Sequence, residues 1–95
     1  MFELKPTQFF LEQLDSLSTK TKRILTNKLE LVKLNPFRYK RIKGHDLLLF
    51  RIRFNDKSQE KRLIYSVDGH SVKIVCILDR KNDYKDLKGY LKKLG

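Results

Sequence analysis

One cysteine, two prolines and four glycines in 95 residues exclude several kinds of protein at once. Disulfide architecture is out, because Cys76 is alone, and its place in SVKIVCIL marks it as a small buried hydrophobe rather than a nucleophile. No apolar run approaches the roughly 20 residues that span a bilayer. The start, MFELKPTQ, lacks the pattern of a signal peptide, so a cytoplasmic protein without membrane contact is expected. With no internal repeat, linker or low-complexity segment, residues 1–95 read as a single domain. No constellation of carboxylate, histidine or cysteine has metal-ligand spacing, and no cofactor is implied. Acidic residues are also scarce, 11 against 22 Lys plus Arg, for a net charge of +11. Such an excess repels itself within a small fold and attracts polyanions, so an acidic partner or nucleic acid is expected to stabilise the chain. Apolar residues still make up 40% and are spread throughout, so the cations decorate a folded domain.

Periodicity divides the chain in two. Phe2 to Lys5 reads as a short strand ended by Pro6, and Phe10, Leu14 and Leu17 then recur at helical spacing over 7–17. Ser18 or Thr19 caps a second helix whose apolar stripe takes in Ile24, Leu25, Leu29, Leu31 and Val32, and Asn35-Pro36 ends it. A loop from Pro36 to Asp46 follows. Beyond it the period becomes two, giving strands near 47–55, 61–67 and 71–78. Asp68-Gly69 makes a tight hairpin, and Asn55 to Glu60 a looser polar loop. From Asp83 onward Tyr84, Leu87 and Leu91 give a short C-terminal helix capped by Asn82 or Asp83. The expected class is α+β: an N-terminal strand, a two-helix hairpin, a three-stranded antiparallel meander and a C-terminal helix.

Within the meander, Arg51 and Arg53 share one face of a strand while Phe50, Ile52 and Phe54 take the other. Arg62 alternates with Leu63, Tyr65 and Val67, which places it on the exposed arginine face and Tyr65 in the core. Three guanidiniums on one face suit a polyanion. Arg38, Arg41 and Lys43, in the preceding loop, fit nonspecific contacts to a nucleic-acid backbone, with plain surface charge as the competing reading. His45 and His70 sit at turns and read as exposed turn residues.

The segments NPFRYKRIKG, LLFRIRF, KRLIYSVDG, VKIVCIL and DRKNDY, in this order, resemble the RelE/ParE superfamily of bacterial and archaeal toxins. A K-R-L-K-G-like element falls on Lys40 to Gly44, the family's basic strand on Phe50 to Arg53, its central strand on Lys61 to Tyr65, and its basic-aromatic end on Arg80 to Tyr84. The resemblance implies a toxin of a type II toxin-antitoxin system, bound and neutralised by an acidic RelB-like antitoxin in a hetero-oligomer. By likeness to the RelE branch it implies a ribosome-dependent endoribonuclease that cuts mRNA in the A site without a metal. Arg51, Arg53, Arg62 and Arg80, or Lys81, would then be the cationic site residues and Tyr84 the terminal tyrosine. ParE relatives instead poison DNA gyrase with the same fold, and a purely nucleic-acid-binding basic domain is the third reading; fold alone does not separate them.

RNA transesterification needs the 2′-hydroxyl deprotonated, the pentavalent phosphate stabilised and the leaving oxygen protonated. Arginine, with a pKa above about 12, serves the second task only. Lys81, pushed toward neutrality by neighbouring cations, and Tyr84, as phenolate, are the proton-transfer candidates; Tyr84 has base stacking as an alternative role. Some relatives carry histidine beside that tyrosine, where this chain has Asp83.

Overall fold

The computed structural model describes residues 1–79 and 87–92. Along the chain lie β1 (Glu3–Pro6), α1 (Gln8–Asp15), α2 (Thr19–Leu34), β2 (Lys40–Ile42), β3 (Leu49–Asp56), β4 (Gln59–Asp68), β5 (Ser71–Asp79) and α3 (Leu87–Lys92). The described strands form one five-stranded sheet in the order β1-β5-β4-β3-β2. β3, β4 and β5 are the expected antiparallel meander. β1 joins β5 in parallel, a pairing possible because the two helices form the crossover.

Two connections depart from the sequence reading. The loop expected over residues 36–46 contains β2, which pairs Lys40 with Arg51 and Ile42 with Leu49. The β3–β4 connection is tight rather than loose: Asp56 pairs with Gln59 across Lys57 and Ser58, whose φ values of 50° and 67° supply the primed turn usually built on glycine. At the other hairpin Gly69 has φ 60°, which makes Gly69-His70 the turn between Asp68 and Ser71.

Both helices lie on one face of the sheet. Phe10, Leu17, Leu25 and Val32 meet Phe50, Ile52, Phe54, Leu63, Tyr65, Val67, Val72, Ile74 and Ile77 in the main core. Ile74 and Ile77 are three residues apart, so strict alternation would put them on opposite faces. A register shift at Ile64/Tyr65, opposite Val75, inserts the extra residue that returns Ile77 to the core. α2 differs from expectation in one respect: Ile24 and Leu31 are 38% exposed, and Thr21, Leu25 and Val32 carry the buried stripe.

Side chains tie the helices to strand ends. Thr7, not Pro6, opens α1: its hydroxyl accepts from Phe10 N at 3.0 Å and donates to Val75 O at 2.8 Å. Where β1 stops, the Gln13 amide takes over the β5 edge, donating to Ile77 O at 2.8 Å and accepting from Ile77 N at 2.6 Å. Asp56, buried at the end of β3, accepts from Thr21 Oγ1 at 2.7 Å, Ser18 Oγ at 2.9 Å and Ser18 N at 3.2 Å, so the start of α2 is fastened to the meander. The Thr21 hydrogen bond, with those from Ser18 and the Lys57 charge, holds the Asp56 carboxyl below its usual range against the opposing pull of burial.

Fully buried Tyr65 donates its hydroxyl to Pro36 O and stacks on Phe50 at 5.5 Å. Phe37, in the loop after α2, meets Phe50 edge-on at 5.8 Å and Phe2 at 6.1 Å, so the aromatics bind that loop to β1 and β3. Replacing Tyr65 by Phe is expected to cost about 1–3 kcal/mol, because Pro36 O loses its donor inside the core; urea unfolding with an unchanged slope is the measurement. Asp56→Asn is expected to lower the melting temperature at neutral pH. A carboxyl whose pKa is depressed by folding stabilises above its ordinary value of 3.8 and loses that contribution as pH falls through the folded pKa. Melting curves of parent and variant should therefore converge in acid, and an equal gap at every pH would contradict this account.

Candidate nucleic-acid interface

Register places the arginines. Arg53 stands directly opposite Arg62, and Arg51 lies between Ile64 on β4 and Lys40 on β2. All four side chains therefore emerge on the face away from the helix hairpin. Lys40, missed as a site residue by the sequence reading, owes its place to β2; the alternation in KRIK was its only signal. Like charges directly opposite each other in a ladder destabilise it, so the Arg53/Arg62 pair gains from an anion held between them.

This face is no bare cationic floor. Ile42, Leu49, Ile64, Val75, Cys76, Leu78 and Leu87 form a second core on it, beneath α3. Arg62, expected on the exposed face, is 8% exposed, because its row runs on β4 between β3 and β5 and ends at Leu78. Arg51 is half-buried and Arg53 exposed, so the cations graduate from the edge of the second core toward solvent. A guanidinium whose stem is packed has fewer conformations to lose on binding.

The remaining candidates are distributed differently. Arg41 pairs with Phe50 and so belongs to the opposite face; Arg38 lies over the Tyr39 ring at 5.6 Å; Lys43 is exposed beside Gly44. These three do not join the arginine rows. Arg80, Lys81 and Tyr84, with the expected start of the last helix, lie outside the described residues. The described chain leaves the sheet at Asp79, whose carboxylate is bound by Lys61 at 2.6 Å, and resumes at Leu87, fully buried in the second core.

Other titratable groups are poorly placed for work on that face. Tyr65 faces the helices, and burial raises its phenol above the ordinary range. Burial pushes the Cys76 thiol up to about 12. His70 is in the β4–β5 turn, roughly 20 Å along the strands from Arg62 at about 3.3 Å per residue. His45, half-buried rather than exposed, lies in the loop between β2 and β3. Among the described residues no group of His, Cys, Asp or Glu is arranged to hold a metal, and no helix is long and apolar enough to cross a membrane.

A sheet of this order, with its helix hairpin on one face and a short helix on the other, occurs in known structures. A free form of E. coli toxin RelE carrying two arginine-to-alanine changes superposes with a TM-score of 0.79 at 18% identity, over 99% of this chain and 98% of that one. This is the RelE fold. RelE in the intact E. coli RelBE toxin-antitoxin complex gives 0.72 at 20% identity, over 83% of this chain and 96% of that one. The archaeal RelE-RelB complex from Pyrococcus horikoshii gives 0.63 at 20% identity, with 83% and 94% covered. No protein-family model and no curated protein sequence matches the chain. At such identities the RelE fold survives through pattern and packing rather than through residue identity.

Alanine at Lys40 or at Arg53 is expected to lower the slope of log affinity against log salt for single-stranded RNA by about 0.7 each. Arg41→Ala, on the other face, should change it less. Fluorescence anisotropy between 50 and about 300 mM salt measures both.

Proposed function

We propose that this chain is a toxin of the RelE type, a ribosome-dependent endoribonuclease that cleaves mRNA in the A site and so inhibits translation in the cytoplasm. The observation that carries the reading is the pairing of Arg53 with Arg62 and of Arg51 with Lys40 on one face of a RelE-fold sheet. A scissile phosphate has three equatorial oxygens in its transition state, and converging cations stabilise that charge more than they stabilise the ground state. Arg62, packed at its stem, and Arg53, opposite it, take this role, with Arg51 and Lys40 holding the flanking backbone. Arg80 completes the cationic set.

Proton transfer falls to Lys81 and Tyr84. His70 belongs to the far end of the meander, and Tyr65 and Cys76 are buried. The antitoxin that neutralises such a protein is acidic and RelB-like, and the toxin-antitoxin hetero-oligomer is the resting form; a net charge of +11 and the two RelE–RelB complexes among the fold relatives support this partner.

Primer extension on mRNA from a translation extract given this protein tests the reading. Cuts within the A-site codon are expected, and Arg62→Ala and Arg80→Ala should each suppress them while far-ultraviolet circular dichroism stays that of the parent. Uncut mRNA with continuing translation would sink the proposal, and DNA damage without cleavage would favour a ParE-like gyrase toxin instead. Neither cleavage nor damage, with salt-sensitive, sequence-blind RNA binding, would leave a non-catalytic basic domain. A single-turnover pH-rate profile should lose one limb in Tyr84→Phe or in Lys81→Met, which identifies the group that titrates.

A further inference from the structure

The parallel β1–β5 ladder sets Lys5 beside Lys73, about 4.8 Å apart in backbone, on the same face as the arginines but at the other edge of the sheet. Leu4 packs toward the helix hairpin, so alternation sends Lys5 the opposite way. Among the described residues neither lysine has an ion-pair partner. The two ammonium groups therefore repel across the ladder.

Beside them is a cavity of about 400 Å³, bounded by the end of β1, the start of α1 and the outer side of α3. Phe9 and Tyr90 form its other wall, their rings 4.8 Å apart and 35° from parallel, and both are half-buried. Among the described residues the lining holds two cations and no carboxylate. Its volume lies within the range of small-ligand sites. Cations for a phosphate and aromatic surface for an unstacked base are the two components by which proteins hold single-stranded nucleic acid.

We propose that this cavity is a subsite for one unpaired RNA nucleotide, with the phosphate on Lys5 and Lys73 and the base against Phe9 and Tyr90. The choice of RNA as the polymer rests on the proposed function; the site itself does not require cleavage. Arg62 and Lys73 are separated by four residues along β4 and one strand across, roughly 14 Å in backbone at about 3.3 Å per residue and 4.8 Å per strand. The arginine rows and the cavity thus flank α3 on one face, and a short single strand reaches both. A protein of this kind would grip its RNA on two sides of α3.

Two measurements on the full chain test this. In amide-detected NMR titrations, adenosine 5′-monophosphate should shift Gln8, Phe9, Lys73 and Val75, with inorganic phosphate shifting only Lys73 and its neighbours and adenosine alone binding more weakly. In anisotropy titrations with single-stranded RNA, the Lys5→Gln/Lys73→Gln double variant should lose about 1.4 from the salt slope, two contacts at about 0.7 each, with its melting temperature equal to or above that of the parent. Arg53→Ala, measured in parallel, reads the arginine face separately: an unchanged slope there with a reduced slope in the double variant would support the cavity while counting against the proposed cleavage site. An unchanged slope in the double variant, or identical shifts from the nucleotide and from phosphate alone, would overturn the subsite. Displacement of RNA from these amides by a poly-glutamate peptide that binds them more tightly would overturn it too, in favour of an acidic protein partner.

Discussion

A slip of one residue between β3 and β4 would turn Arg51 and Arg53 toward the helix hairpin and Phe50, Ile52 and Phe54 toward solvent. The register of that ladder is the constraint on which the rest of the molecule depends. Two devices hold it. At one end the turn at Lys57-Ser58 fixes the pairing of Asp56 with Gln59, and Asp56 itself is tied to Ser18 and Thr21. In the middle Phe50 stacks on Tyr65, which is tied to Pro36. Each device belongs at once to the sheet and to α2 or its flanking loop, so helix docking and strand register stabilise one another.

That register also creates an electrostatic tension. It lines up Arg53 with Arg62, as the β2–β3 ladder lines up Lys40 with Arg51 and the β1–β5 ladder Lys5 with Lys73, three like-charge neighbours on the same face of one small sheet. A sequence selected for stability alone would alternate signs across a ladder. Here the apolar rows of the second core hold the strands together beneath α3 while the cations face outward around it. Stability supplied by Leu49, Ile64, Cys76 and Leu87 is set against like-charge repulsion that a bound polyanion or an acidic partner would lessen.

Period-two alternation makes the meander, the shared face of Arg51, Arg53 and Arg62, and the burial of Tyr65 and Cys76 legible in the sequence alone. What escapes it has physical causes. β2 is three residues long with one apolar side chain, too short for a period to register, yet it brings Lys40 to Arg51. Positive φ at Lys57 and Ser58 runs against the preference of L side chains, so a tight turn there has no glycine to announce it. Ile24 and Leu31 fit the helical stripe as well as Leu25 and Val32 do; which stripe is buried depends on the sheet, not on α2. Arg62 reads as exposed because alternation assigns a face but not what covers it, and α3, folding back from the far end of the chain, builds the second core there.

The described face holds the cations proposed to bind and polarise a phosphate, and the groups proposed to move a proton are not among them. Arginine and lysine rows supply charge, His70 sits at the far turn of the meander, and the phenol and thiol in the cores are pushed upward by burial. The division has a structural logic. Asp79, held by Lys61, and Leu87, sunk in the second core, anchor the two ends of the segment that contains Arg80, Lys81 and Tyr84, and both anchors belong to strands and helices that also position the arginines. Charge stabilisation is thus assigned to the sheet, whereas the groups proposed for proton transfer, Lys81 and Tyr84, lie outside the described residues. Anything that shifts Leu87 on its bed of Leu49, Ile64 and Leu78 acts on the proposed phosphate site as well, because that second core is built from the same strands that carry the arginines.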